Sequence, residues 1–346
     1  MEHSDANPLG LNGFEFVEFT SPDPAAMAVQ FEQLGFVASH RHPTKNITRY
    51  KQGHINLMLN RDADGRVAQF RNEHGASASA MAFRVADPEA AMKWALENGA
   101  TRTIEDDTVI EGIGGSYLYF IQDGIDLYAD WAELPGWEEA EVENNVGLNL
   151  LDHLTHNVRR GQMRVWSEFY KTLFGFEEQK YFDIKGQATG LFSQALIAPD
   201  HAIRIPLNES QDEKSQIEEF IREYHGEGIQ HLALATNDIY RTVEKLRARG
   251  VKLQDTVETY YELVDKRVPG HGEDLERLRQ NRILIDGSVN DEGILLQIFT
   301  ENMFGPIFFE IIQRKGNEGF GNGNFQALFE SIELDQIRRG VIKVDA

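Results

Sequence analysis

Polar and apolar residues alternate through residues 11–20 (LNGFEFVEFT), the period of a half-buried strand. Ser21-Pro22-Asp23-Pro24 breaks that pattern, and Met27, Phe31 and Leu34 then recur at helical spacing until Gly35 ends the run. Two hairpin-like strands are expected next, one over residues 54–59. A strand over 79–85 runs into Asp87-Pro88-Glu89, an aspartate cap with proline at the first helical position. It predicts a helix to Glu97, closed by Asn98-Gly99.

The second half replays this order. Residues 152–158 read as a strand and 162–173 as a helix with Val165, Phe169 and Leu173 inward, and Gly175-Phe176 answers Gly35-Phe36. Residues 229–235 form a strand, after which Asn237-Asp238 caps a helix ending at Arg249-Gly250. Asp87 and Asp238 stand 151 residues apart, and so do Gly99 and Gly250. Two landmarks at one offset argue for an internal duplication of strand–helix–strand modules. Under it His231 answers Ala80, and His153 answers Phe16 when the first strands are laid together. The histidines belong to the second copy alone. Residues 1–146 therefore read as a scaffold domain and 147–346 as the working domain. The working half also carries a polar loop at 208–218, leading to a helix with Ile217, Phe220, Ile221 and Tyr224 on one side. A terminal helix is expected over 325–338, behind the glycine-rich stretch 319–323, as a lid over a pocket or an ordinary packed helix.

Near the end of the chain one carboxylate interrupts an apolar run. Alternation puts Phe308, Glu310 and Ile312 on one face of a strand, and Ile307, Phe309 and Ile311 on the other. A carboxylate on an interior face must be ion-paired, protonated or metal-bound, because burying a bare charge is costly.

At 346 residues the chain suits two domains of roughly 150 residues each. Its net charge of −22 repels phosphate backbones and argues against a nucleic-acid partner. The absence of cysteine removes disulfides, thiolate nucleophiles and sulfur-ligated metal sites. The N-terminus lacks a basic region followed by an apolar core, and no run approaches the ~18 apolar residues of a membrane span. A soluble, cytoplasmic protein with no membrane partner is the expectation.

Two histidines and one acid from three strands are what a 2-His-1-carboxylate centre requires, leaving adjacent positions open on a divalent metal. His153, His231 and Glu310 lie 78 and 79 residues apart, a spacing that suits one ligand per strand of a barrel-like sheet. On the residues alone, iron, another divalent ion and purely structural roles all stay open. His156 resembles a ligand partner of His153, but residues three apart on a strand face opposite ways. Surface or capping roles are expected of the remaining histidines. Gln230 is set aside because alternation turns it from the face of His231.

The segments LLDHLTHNV, GEGIQHLAL, LLQIF, PIFFEIIQRKG, GFGNGNF and LFESIELDQIRRG resemble the 4-hydroxyphenylpyruvate dioxygenase family of the vicinal oxygen chelate superfamily. The resemblance spans essentially the whole chain and is strongest from residue 147 onward. It implies an α+β fold of tandem domains built from paired βαβββ modules in open barrels, with a metal-free first half. It also implies one Fe(II) per subunit on His153, His231 and Glu310, and a homodimer or homotetramer. The implied reaction turns 4-hydroxyphenylpyruvate and O2 into homogentisate and CO2. Pocket residues carried over are Ser193, Asn208, Gln297, Phe299, Phe308, Phe320, Asn324 and Phe325. The chain departs from some members only where Pro206-Leu207-Asn208 continues Glu209-Ser210-Gln211, in place of PLNEP. A 4-hydroxymandelate synthase, a non-catalytic binding protein of the same fold and an extradiol dioxygenase are the competing readings. The bulky phenylalanines favour ring attack over benzylic attack.

Overall fold

The computed structural model describes residues 7–103, 108–185, 190–324 and Ala327. Eight strands make a first sheet: β1 (Phe14–Thr20), β2 (Val37–Arg41), β3 (Ile47–Gln52), β4 (Ile55–Asn60), β5 (Ser77–Val85), β6 (Val109–Glu111), β7 (Tyr117–Gln122) and β8 (Ala132–Glu133). Eight more make a second: β9 (Leu148–Val158), β10 (Glu177–Lys185), β11 (Gly190–Ile197), β12 (Arg204–Ser210), β13 (Gly228–Thr236), β14 (Leu284–Ser288), β15 (Gly293–Phe299) and β16 (Phe308–Lys315). Among the described helices are α1 (Pro24–Gln33), α2 (Gly65–His74), α3 (Pro88–Glu97), α4 (Trp137–Asn144), α5 (Met163–Phe174), α6 (Gln216–Glu223), α7 (Ile239–Ala248) and α8 (Glu258–Glu262).

The duplication read from the sequence holds in three dimensions. The first sheet runs β6-β7-β5-β1-β4-β3-β2-β8, and the second, read from its far edge, β14-β15-β16-β13-β9-β12-β11-β10. In both, the first strand of the copy pairs parallel on one side (β1 with β4, β9 with β12) and antiparallel on the other (β1 with β5, β9 with β13). Strands β5 and β13 keep the 151-residue offset at both ends, as do α3 and α7. The reason is local. Asp87 accepts from the N–H groups of Glu89 and Ala90, Asp238 accepts from that of Arg241, and each strand–cap–helix unit folds the same way.

Buried side chains of both sheets join in one apolar core. Phe83 of β5 packs edge-on against Phe174 of α5 at 5.3 Å, and Phe304 sits 5.3 Å from Phe19 and 5.2 Å from Phe31. Full burial of such a ring is worth ~2–3 kcal/mol.

Several expectations need correction. Three strands, β2 to β4, follow α1 where two were expected. Helix α2 was not foreseen, because it offers only Val67, Ala68 and Phe70 as buried apolar positions among charged neighbours. Of the three positions expected inward on α5, Leu173 is buried and Phe169 is half-buried against the core, but Val165 is exposed; Met163, Ser167, Tyr170 and Phe174 complete the buried side. Residues 208–210 belong to β12 rather than to a loop. His40 and His74 are buried, not superficial: His74 stacks on Tyr224 at 4.7 Å, and its Nδ1 lies 2.6 Å from the Tyr224 carbonyl oxygen. Phe325 and the proposed terminal helix lie outside the described residues.

Candidate metal centre

Strands β9, β13 and β16 are neighbours in the second sheet, and each contributes one side chain to a single buried point. Registers place Ala233 opposite His153 on β9 and opposite Glu310 on β16, so three residues remote in sequence converge. One ligand atom from each of His153, His231 and Glu310 lies within 4.8 Å of the other two. The Oε2 of Glu310 is 3.3 Å from Nε2 of His153 and 3.4 Å from Nε2 of His231.

Each imidazole is held from behind by the residue preceding it. Nδ1 of His153 donates to Asp152 Oδ1 at 2.8 Å, and Nδ1 of His231 to Gln230 Oε1 at 3.0 Å. That fixes the tautomer and turns both Nε2 atoms toward Glu310. Gln230 reaches its histidine because β13 is irregular between Ile229 and His231, which relaxes strict alternation. Setting Gln230 aside was therefore wrong. Asp152 was missed altogether. Its carboxylate also accepts from Arg314, Nε at 2.8 Å and Nη2 at 2.7 Å. The Nη1 of the same guanidinium donates to the carbonyls of Asn317 and Gly319, just before Phe320.

Charge accounts for the protonation states. Burial alone would raise the Glu310 carboxyl, but His153 and then His231 overcome it and hold it at about 2. Burial opposes a charge on His153, yet Glu310 and Asp152 outweigh that and raise its pKa. On His231 burial wins, and the pKa falls. Two buried carboxylates thus face one guanidinium, and one negative charge is left for a proton or a cation to balance. Neutral imidazoles, one carboxylate and that residual charge fit a divalent metal.

His156 is not a ligand. It points to the other face, where its Nε2 lies 2.7 Å from the Tyr170 hydroxyl, as the three-residue spacing requires.

The predicted pocket residues divide into three groups. Phe308 stacks on His231 at 4.8 Å, Phe299 meets the same ring at 6.3 Å, and Phe320 stands edge-on to His153 at 5.1 Å. Gln297 Nε2 donates to Glu310 Oε1 at 3.1 Å, and Asn324 Nδ2 donates to Gln297 Oε1 at 2.9 Å. Ser193 and Asn208 lie on β11 and β12, paired in register with each other, and Asn208 with Asn157 of β9. They therefore form a polar row four residues along β9 from His153. In the first sheet the equivalent of Glu310 is Tyr119, because Ala82 pairs with it as Ala233 pairs with Glu310. That copy holds Phe16, Ala80 and Tyr119 at the three positions, with the Phe16 and Tyr119 rings 5.5 Å apart, and has no metal-ligating group there.

Comparison with known proteins agrees with this geometry. A family model described as hydroxyphenylpyruvate dioxygenase, N-terminal, matches residues 6–131. Another, the glyoxalase/bleomycin resistance protein/dioxygenase superfamily, matches residues 150–263. The chain is 54% identical to a 4-hydroxyphenylpyruvate dioxygenase of Pseudomonas aeruginosa, over 97% of each chain. It is 52% identical to hemolysin VllY of Vibrio vulnificus, over 97% of this chain and 98% of the other. Among solved structures, a triply substituted 4-hydroxymandelate synthase from Streptomyces coelicolor superposes with a TM-score of 0.80 at 27% identity, covering 95% of this chain and 100% of that one.

Proposed function

The chain belongs to the 4-hydroxyphenylpyruvate dioxygenase family, and from that premise we propose how its own residues serve the reaction. It is an Fe(II)-dependent dioxygenase that converts 4-hydroxyphenylpyruvate and O2 to homogentisate and CO2 by oxidative decarboxylation, ring hydroxylation and side-chain migration. The observation that carries the reading is the buried meeting of His153, His231 and Glu310 in a chain aligned over nearly its full length with such enzymes.

His153, His231 and Glu310 hold the Fe(II). When bound, it supplies a Lewis-acid centre for the 2-oxo acid and the electrons that activate O2. The chain does the rest. Asp152 and Gln230 lock both imidazoles with Nε2 inward, so the ligands need no reorganisation on binding. Phe299, Phe308 and Phe320 wall the centre with apolar surface, which orients an aromatic ring and excludes water from oxidising chemistry. Phe325 joins them in this reading. Ser193, Asn208, Gln297 and Asn324 are neutral hydrogen-bonding groups that steer substrate oxygens without competing for the metal. Residues 1–146 act as scaffold and 147–346 as the catalytic domain.

No helix among the described residues is long and apolar enough to cross a membrane. A cytoplasmic location and a homodimer or homotetramer complete the proposal, to be checked by fractionation and light scattering.

The decisive experiment is anaerobic reconstitution with Fe(II), then addition of 4-hydroxyphenylpyruvate and O2 with product analysis. One CO2 and one homogentisate per O2 are expected, and none from Glu310→Ala. Hydroxymandelate as product would overturn the ring-attack reading, and metal binding without oxygen uptake would overturn the enzymatic one.

A further inference from the structure

The hydrogen-bond chain that reaches Glu310 through Gln297 and Asn324 does not stop there. Asn324 Oδ1 accepts from the Tyr260 hydroxyl at 2.6 Å. Tyr260 lies in α8, outside both sheets, and is fully buried. Its oxygen is also 2.7 Å from Arg267 Nη2 and 2.9 Å from the Ile285 N–H. Neither of those groups can accept, so both lone pairs of the hydroxyl are taken and its one proton must point elsewhere. The nearest acceptor is Asn324 Oδ1, with the Ile285 carbonyl farther off at 3.1 Å. Burial pushes the Tyr260 hydroxyl up to about 12, so the proton stays available for donation at neutral pH.

A direction follows for every later bond. With Oδ1 facing Tyr260, the Asn324 amide must present Nδ2 to Gln297. Gln297 then accepts at Oε1 and presents Nε2 to Glu310. Reversal of the Gln297 amide would set a carbonyl oxygen against the Glu310 carboxylate, and reversal of Asn324 would set its Oδ1 against Gln297 Oε1. We propose that Tyr260, oriented by Arg267 and the Ile285 N–H, is a positioning residue for this reaction: it sets which end of the Gln297 amide faces the metal-binding carboxylate and the substrate. The proposal rests on the reading of Gln297 as a site residue.

The test uses the full chain loaded with Fe(II) for turnover and with Co(II) for spectroscopy. Tyr260→Phe keeps the ring and removes the director. Its kcat is expected to fall roughly tenfold, with a smaller change in KM, since one hydrogen bond of the working geometry is lost. The visible bands of bound Co(II) should shift as they do in Gln297→Leu. In the Gln297→Leu background, Tyr260→Phe should cost less than twofold, because the chain is already cut. Tyr261→Phe, next door and equally buried but outside this chain, should leave kcat and the Co(II) bands unchanged.

Should Tyr260→Phe not fold, Asn324→Asp tests direction with Tyr260 intact. It replaces the donor facing Gln297 by an acceptor, so the Gln297 amide must turn, kcat must drop and the bands must move. Wild-type kcat and bands in Tyr260→Phe or in Asn324→Asp overturn the proposal. So does an equal loss from Tyr260→Phe in both backgrounds. Failure of the underlying reading looks different: Gln297→Leu itself would then show wild-type turnover and bands.

Discussion

Alanine at position 321 is a sharp probe of the site. Gly321 has φ +73°, and a Cβ there would lie 1.5 Å from Gln297 Oε1 and 2.5 Å from its Cδ. No side chain tolerates such an approach, so Gln297 must move. Were it a free surface amide the move would cost little, but it is buried and tied at both ends, to Glu310 at 3.1 Å and to Asn324 at 2.9 Å. Losing both bonds costs about 2 kcal/mol. The left-handed backbone adds about 1–2 kcal/mol once a Cβ is present. Gly321→Ala is therefore expected to lower stability by roughly 3–4 kcal/mol. Turnover should fall about ten- to a hundredfold, at ~1.4 kcal/mol per factor of ten. Oxygen uptake by the Fe(II)-loaded protein measures the second quantity, and urea unfolding of the metal-free chain the first. In a Gln297→Ala background the collision vanishes, leaving the backbone cost of about 1–2 kcal/mol and no further loss of turnover. Equal losses in both backgrounds, or wild-type turnover in the single variant, would refute the placement of Gln297 over the centre.

Two further predictions concern the residues behind the ligands. Asp152→Asn keeps the shape but weakens the hold on His153 Nδ1, and metal affinity measured by competition with a chelator should fall about 10–100-fold; an unchanged affinity would remove Asp152 from the centre. Burial first, with a minor push from His231, lowers His156 to about 3 from an ordinary 6.5. A depressed imidazole takes up its proton more readily in the unfolded chain, so its contribution is intact above pH 6.5 and is lost as pH falls toward 3. The loss is up to ~1.4 kcal/mol per pH unit. His156→Gln should make stability between pH 6 and 4.5 fall less steeply by up to that slope, and parallel slopes for both proteins would contradict the assignment.

The elements that were readable share one property: their signals are local. Asp87 and Asp238 satisfy N–H groups two and three residues ahead of them, so cap, helix and repeat could be read from a short window. Glu310 was conspicuous because a charge inside an apolar strand has few stable fates. His153 and His156 separated correctly because strand alternation is a backbone property. Reading failed where neighbours decide. On α5 Leu173 is buried as its spacing required while Val165, two residues from buried Met163 and Ser167, is exposed, which depends on how the helix leans on the sheet. His74 was misplaced because Phe70 and Tyr224, the latter 150 residues away, cover it.

The sequence by itself determined the duplicated modules, the copy that bears the histidines and the conspicuous charge at Glu310, since these depend on period, offset and residue type, while the kind of centre came from the family resemblance. The tertiary structure decided what surrounds the ligands: Asp152 and Gln230 behind the imidazoles, Arg314 behind Asp152, and Tyr260 at the far end of the Gln297 chain. Hydrogen bonds to a ligand depend on which side chains register and irregularity bring within 3 Å. One irregular position in β13 was enough to turn Gln230 from an excluded residue into a partner of His231.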